Sequence, residues 1–99
     1  MTDVVITGLG ATTPLGGTVP DTWDGLLAGR SGIVALDDEW ALRLPARLAG
    51  RMAVDPASAL ERVQARRLDR STQAAVVAAR EAWDDAGPVD VDPTRIAVW

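Results

Sequence analysis

The side chains of this chain that are best suited to bind another molecule are four arginines. Arg62, Arg66, Arg67 and Arg70 fall within nine residues, in a chain whose formal net charge is −4. Arg62 and Arg66 are one helical turn apart, as are Arg66 and Arg70 if the helix continues. Arginine forms bidentate hydrogen bonds with phosphate and carboxylate, so the cluster suits an acidic or phosphate-bearing partner. The residues alone favour a simpler interpretation, a solvated face with arginine–aspartate pairs.

The chain lacks the side chains that perform most nucleophilic and acid–base catalysis. It contains no Cys, no His and no Lys, so few groups titrate near neutral pH. Ser31, Ser58 and Ser71 have no histidine to activate them. The acidic runs at 37–39 and 84–85 lack the flanking groups of a metal site or an acid–base pair. We therefore predict no catalytic, metal-binding or cofactor-binding residue in this chain.

A glycine-rich turn follows the first apolar run and invites comparison with dinucleotide-binding proteins. Their fingerprint needs a third glycine three residues after the second, so that a helix N-terminus meets the pyrophosphate. After Gly8 and Gly10 that position holds Thr13, and Pro14 follows. A dinucleotide-binding oxidoreductase therefore stays only as an alternative. We expect the glycines to allow a tight turn and close backbone packing.

Composition argues against several other classes of protein. An acidic chain is poorly suited to nucleic acid, which requires a basic surface. No apolar run approaches the length of about 18 residues that a membrane span needs, and the N-terminus does not resemble a secretory signal. The absence of cysteine excludes a disulfide framework and suits the cytoplasm. We expect a cytoplasmic protein without nucleic-acid or membrane partners.

Two continuous apolar runs predict strands that are covered on both faces, as in a parallel sheet. They are residues 3–9 and residues 95–99. Weak alternation of apolar and polar residues predicts a third, short edge strand over 47–53.

Capping residues and apolar spacing predict four helical segments. They are a helix over 19–28 with Thr18 as N-cap and Gly29 at its end, a single turn over 37–40, a short helix from Asp55 to about Val63, and a long helix over 69–86. The first helix has one apolar face and should pack on one side. The long helix is apolar around its whole circumference over 74–79, so we expect it to be buried in a layered protein.

Two buried strands and a buried helix need covering layers that 99 residues do not supply. We therefore expect residues 1–99 to be the N-terminal segment of a larger α/β protein, cut within a core strand. The alternative is a complete small α/β domain with a frayed last strand.

In order along the chain, these segments resemble the start of a beta-ketoacyl-acyl-carrier-protein synthase, the elongating condensing enzyme of type II fatty-acid synthesis. The resemblance is carried by Val4–Gly10, Thr13–Gly16, Thr22–Trp23, Leu26–Ile33, Arg66–Asp69 with the helix that follows, Asp92–Pro93 and Arg95–Val98. The most specific part is Trp23 together with Leu26–Ile33, which reads Leu-Leu-Ala-Gly-Arg-Ser-Gly-Ile.

The resemblance implies an incomplete α/β fold, the N-terminal portion of a thiolase-type layered fold. The intact family members condense an acyl-enzyme with malonyl-acyl carrier protein and release carbon dioxide. They use a Cys nucleophile and two His residues, usually as homodimers, with no metal or redox cofactor. In the family these residues follow the segment matched here, so we expect residues 1–99 alone to be inactive. The alternative is a non-catalytic, chain-length-determining ketosynthase partner of a polyketide system, which shares the fold.

The resemblance also gives the arginine cluster a function. In relatives, basic residues just before the long helix help to dock the acidic acyl carrier protein. The matching positions are Arg66 and Arg67, with Arg62 a looser candidate, while Val63 stands where some relatives hold another basic residue. The family resemblance therefore reverses the preference for a solvated face.

Overall fold

The computed structural model describes residues 2–99. Within them, in chain order, lie helix α1 (Val19–Leu27), strand β1 (Ile33–Ala35), strand β2 (Leu48–Gly50), helix α2 (Arg62–Arg67) and helix α3 (Arg70–Ala86). Short 3₁₀ turns occupy Glu39–Arg43, Pro56–Ala59 and Pro93–Arg95. This mixture of helices and strands is that of part of an α/β domain.

The sheet consists of two short antiparallel strands. Ile33 is opposite Gly50, and Ala35 is opposite Leu48. Strand β2 lies within the edge strand predicted over 47–53. Strand β1 was not predicted, because three residues are too few to show a periodicity of two.

Residues 3–9 and 95–99 do not form the predicted strands. A strand needs a hydrogen-bonded neighbour, and in the described part of the chain β1 and β2 pair only with each other. Val4 and Val98 are 95% and 96% exposed. The prediction of a parallel sheet is therefore wrong for residues 2–99. An apolar run indicates a surface to be covered but does not say which segment covers it.

The two apolar segments nevertheless lie against the same side of α3. Thr7 and Ile96 both line an open, largely apolar cleft of about 390 Å³, together with Ala82 and Trp83 of the helix. Both segments therefore contact α3 at one cleft, although the first is separated from the helix along the chain by α1, β1, β2 and α2.

The glycine segment (residues 8–11) runs antiparallel to α3 and is held by two acidic side chains. The Leu9 N–H donates to Asp85 Oδ2 and the Ala11 N–H donates to Glu81 Oε2, both at 2.9 Å. Two residues of an extended chain span about 6.6 Å, and four residues of a helix rise about 6 Å. Alternate amides of the segment can therefore meet carboxylates that are one helical turn apart.

Glycine is needed for this close approach. A Cβ at Gly8 would lie 2.1 Å from the carbonyl oxygen of Ala82, and one at Gly10 would lie 1.8 Å from that of Ala78. Both distances are far inside van der Waals contact with backbone atoms, which cannot rotate away as a side chain can. The prediction that the glycines allow close backbone packing is confirmed.

Glu81 joins three segments of the chain. Its Oε2 accepts from Ala11, and its Oε1 accepts from the N–H of Val19 at 2.8 Å. Val19 is the first residue of α1. One carboxylate of α3 therefore fixes both the glycine segment and the start of the next helix.

Helix α1 confirms its predicted ends but not its predicted packing. Thr18 Oγ1 accepts from the N–H of Asp21 at 3.3 Å, and Gly29 follows the helix with φ of 66°. Trp23 and Leu27 on the apolar face are 58% and 70% exposed, and the buried residue is Gly25. The apolar face has no cover among the residues that the structure describes.

The remaining helical segments agree with the prediction in part. The predicted turn over 37–40 corresponds to the 3₁₀ turn at Glu39–Arg43. The helix predicted from Asp55 is split, because the chain is extended at Leu60 (φ −111°, ψ 152°) before α2 begins. Helix α3 spans nearly all of 69–86, but its buried residue is Gln73, and Ala75 and Ala79 are exposed. Its predicted burial is therefore not found within residues 2–99.

Asp69 separates α2 from α3 and caps α3. Its carboxylate accepts from the Thr72 N–H at 2.8 Å and from the hydroxyl groups of Ser71 and Thr72 at 2.7 and 3.1 Å. The Thr72 N–H, followed by the two hydroxyl groups, holds the pKa of Asp69 below its usual value of 3.8. The ionised carboxylate is the form that these bonds favour.

We predict that Gly10→Ala in the intact protein detaches the glycine segment from α3. The new Cβ would overlap the helix backbone, which costs about 1–3 kcal/mol. Protection of the Leu9 and Ala11 amides from hydrogen exchange should fall. Gly29→Ala is the control for backbone strain without overlap: its φ of 66° strains an alanine, but the new Cβ has no neighbour within 4 Å, so protection of the Leu9 and Ala11 amides should be kept. Unchanged protection in Gly10→Ala would contradict the packing described here.

We predict that Glu81→Gln destabilises the intact protein by about 1–3 kcal/mol. A glutamine keeps the shape but can offer an oxygen to only one of the two N–H groups, so the other loses its acceptor. Chemical denaturation measures the change in unfolding free energy. Asp84→Asn removes the same charge one turn away, where the side chain has no hydrogen bond within residues 2–99. Equal losses in both variants would contradict the role of Glu81.

We predict that the cap at Asp69 weakens in acid. Because its pKa is lowered by folding, the carboxylate stabilises α3 fully above the unfolded value, and this stabilisation is lost as pH falls through the lower folded pKa. The measurement is the protection factor of the Thr72 amide against pH in wild type and Asp69→Asn. The difference should be constant above about pH 5 and should shrink below it. A difference that persists at the lowest pH would contradict the prediction.

Candidate functional site

Three of the four clustered arginines lie together on α2. Arg62, Arg66 and Arg67, which we call the α2 arginine surface, are exposed. Within residues 2–99 none of them forms an ion pair or a side-chain hydrogen bond, whereas Arg51 and Arg70 do. The arginine–aspartate pairs expected of a neutralised face are therefore not formed at these positions. Exposed guanidinium groups on one short helix are suited to an anionic partner.

Arg70 does not belong to this surface. Helix α2 ends at Arg67, Leu68 is extended with ψ of 137°, and Arg70 begins α3. Arg66 and Arg70 are therefore not one helical turn apart, because the helix does not continue. Arg70 Nη1 instead donates to Asp55 Oδ1 at 2.6 Å.

The position of α2 is set by a residue that the sequence analysis missed. Gln73 of α3 is only 5% exposed, and its Nε2 donates to the carbonyl oxygens of Ala65 at 2.8 Å and of Leu68 at 3.1 Å. At the surface, Arg80 Nη2 donates to Gln64 Oε1 at 3.0 Å. A glutamine one turn into a helix is usually solvated, so its type alone gave no signal.

Two arginines of α2 lie at its C-terminal end. Arg66 and Arg67 lie in the last turn of the helix. Free carbonyl groups at a helix C-terminus carry partial negative charge, which stabilises nearby cations. This partial charge attracts the two guanidinium groups, which have no carboxylate partner within residues 2–99.

The serines considered in the sequence analysis are occupied in local structure. Ser31 Oγ accepts from the Ile33 N–H at 3.2 Å, and Ser58 Oγ donates to the carbonyl oxygen of Asp55 at 2.6 Å. Ser71 Oγ donates to Asp69 in the cap of α3. Each hydroxyl group stabilises a turn or a cap.

The carboxylates of α3 have structural roles that the sequence analysis also missed. Glu81 and Asp85 bind backbone N–H groups, and one of these belongs to Val19 at the start of α1. The helix N-terminus that a pyrophosphate would need is thus already bonded to a carboxylate. In the described residues, no group of three His, Cys, Asp or Glu side chains could hold a metal ion. Nor is any helix within residues 2–99 both long and apolar enough to cross a membrane.

The chain matches a known family over its whole length. The family's sequence profile, described as "Beta-ketoacyl synthase, N-terminal domain", matches residues 1–99. The "3-oxoacyl-[acyl-carrier-protein] synthase 2" of Coxiella burnetii is 42% identical over 85 residues, which cover 85% of this chain and 20% of that protein. The protein of the same name from Staphylococcus aureus strain COL is 41% identical over 103 aligned positions, covering 97% of this chain and 24% of that protein.

A third relative with that name, from Synechocystis, is 42% identical over 84 residues, with 84% of this chain and 20% of the relative covered. The chain thus spans 20–24% of the length of these curated relatives. The match confirms the resemblance found in the sequence. The chain belongs to the beta-ketoacyl synthase N-terminal domain family.

Proposed function

We propose that this chain is part of a 3-oxoacyl-acyl-carrier-protein synthase. Such an acyltransferase condenses an acyl-enzyme with malonyl-acyl carrier protein, with loss of carbon dioxide, in fatty-acid elongation. The proposal is supported by the family and by the names of relatives that are 41–42% identical. In this proposal residues 1–99 form the first segment of a thiolase-type layered fold, and the apolar segments 3–9 and 95–99 become strands of its sheet.

The proposed division of labour follows from the side chains present. A thiolate accepts the acyl group, and imidazoles stabilise the enolate oxygen that decarboxylation produces. Residues 1–99 contain neither Cys nor His, so this segment contributes recognition and not bond making. The family resemblance further implies a cytoplasmic homodimer without a metal or redox cofactor.

We further propose that the α2 arginine surface docks the acyl carrier protein, which is acidic. The observation that carries this proposal is the exposure of Arg62, Arg66 and Arg67 without an ion pair within residues 2–99. The surface is a local positive area on a chain whose net charge is −4. Complementary charges at the rim of an interface chiefly raise the association rate and make binding sensitive to salt.

We predict that Arg66→Glu combined with Arg67→Glu weakens carrier binding in the intact enzyme. Two attractive charges become repulsive, so Kd should rise by about fivefold or more at about 20 mM salt. The loss should diminish at about 500 mM salt, where exposed charges are screened. Titration of the enzyme with acyl carrier protein at both salt concentrations measures the effect.

The matched control is Arg43→Glu with Arg95→Glu, which changes net charge equally at exposed arginines outside α2. We expect this control to retain most of the wild-type affinity. If the Arg66/Arg67 variant bound the carrier as wild type does at both ionic strengths, the docking proposal would be rejected.

A further inference from the structure

We infer that Gln73 is a positioning residue for the α2 arginine surface. It acts through the backbone on either side of Arg66 and Arg67, and it directs these two side chains toward the carrier protein. The inference rests on the proposed docking function and adds to it a residue that makes no contact with the partner.

The first argument is the geometry of the Gln73 amide. Its Nε2 donates to the carbonyl oxygen of Ala65 at 2.8 Å and to that of Leu68 at 3.1 Å. These two residues immediately precede and follow the pair Arg66–Arg67. One NH₂ group therefore fixes the short stretch of backbone that carries both arginines.

The second argument is that these carbonyl oxygens lack their usual partners. Helix α2 ends at Arg67, and Leu68 turns into extended backbone. In a continuing helix, amides four residues further on would bond to Ala65 and Leu68, but a helix end leaves such carbonyl groups free. Gln73 supplies the missing donors from a neighbouring helix.

The third argument is that Gln73 is a costly residue to bury. Carbonyl oxygens only accept hydrogen bonds, so the NH₂ group must face them and Oε1 must point away. Oε1 is buried and has no hydrogen-bond partner within the described residues. A buried acceptor without a donor destabilises a fold, and an apolar side chain of the same shape would avoid this penalty. Packing alone therefore does not account for a glutamine here.

The fourth argument is that α2 has little else to fix it. A helix of six residues is too short to be stable by itself. Its contact through Arg80 and Gln64 is a single exposed hydrogen bond, and such bonds between exposed side chains contribute little. The buried turn at Pro56 lies against α2 and α3 but does not bond to the arginine backbone. Among these contacts, the hydrogen bonds from Gln73 are therefore the ones that fix the orientation of the arginine backbone.

The test is Gln73→Met in the intact enzyme, because methionine fills a similar volume but donates no hydrogen bond. KM and kcat are measured with an acyl group carried by acyl carrier protein and with the same acyl group on pantetheine. We expect KM for the carrier-borne substrate to rise about threefold to tenfold, because displaced arginines lose part of their charge attraction to the carrier protein. The kcat/KM for the pantetheine thioester, which does not need the arginines, should stay within about twofold of wild type.

Gln64→Met is the matched control, since it makes the same substitution at the exposed hydrogen bond. It should change KM for the carrier-borne substrate by less than about twofold. If Gln73→Met does not fold, Gln73→Asn replaces it, because the shorter amide cannot reach both carbonyl oxygens. For Gln73→Asn we again expect KM to rise for the carrier-borne substrate and kcat/KM to stay near wild type for the pantetheine thioester.

A double-mutant cycle separates this inference from the docking proposal. When Arg66→Ala and Arg67→Ala are already present, adding Gln73→Met should not raise KM further, because residues that act through one another are not additive. If the arginine variant alone leaves KM unchanged, the docking proposal fails. If the arginine variant raises KM but Gln73→Met does not, or if Gln73→Met impairs both substrates equally, only the role of Gln73 is overturned.

Discussion

The arrangement of this chain depends on the carboxylate of Glu81, whose two oxygens accept N–H groups from segments far apart in sequence. Ala11 and Val19 are 70 and 62 residues from Glu81. Hydrogen bonds to a charged acceptor are stronger than neutral ones. Glu81 lies on α3 between Ala78 and Ala82, two of the alanines against which the glycine segment packs. The glycines allow the approach, and the carboxylate gives it a register.

The same helix also positions α2, through residues at its N-terminal end. Gln73 lies eight residues before Glu81, which is about 12 Å along the helix axis. At the N-terminal end of α3, Asp69 caps the helix and Gln73 holds α2, while towards its C-terminal end Glu81 and Asp85 hold the glycine segment. Helix α3 is therefore the scaffold for both the apolar segments and the arginines. Three of its polar side chains, Gln73, Glu81 and Asp85, bond backbone groups of other segments.

The sequence predicted what depends on neighbouring residues and missed what depends on distant ones. The cap at Thr18 was predicted because an N-cap acts within three residues. The strand at 3–9 was not found, because a strand is defined by its partner and apolar composition does not identify one. The helix break at Leu68 moved Arg70 away from Arg66. Gln73 was missed because its partners are backbone carbonyl groups. Every residue has one, so residue types do not reveal which of them a glutamine will bond.

The two kinds of exposed residue in this chain have different physical meanings. Val4, Ile6 and Val98 are large apolar side chains on the segments beside α3, and contiguous apolar surface of this kind is rarely left in water. The exposed arginines of α2 carry no such cost, since a guanidinium group is well hydrated. When further layers of the proposed enzyme cover the apolar segments, the arginines of α2 can stay in solvent. A partner that arrives from solution would meet the arginines first, so charge and not apolar contact should govern the encounter.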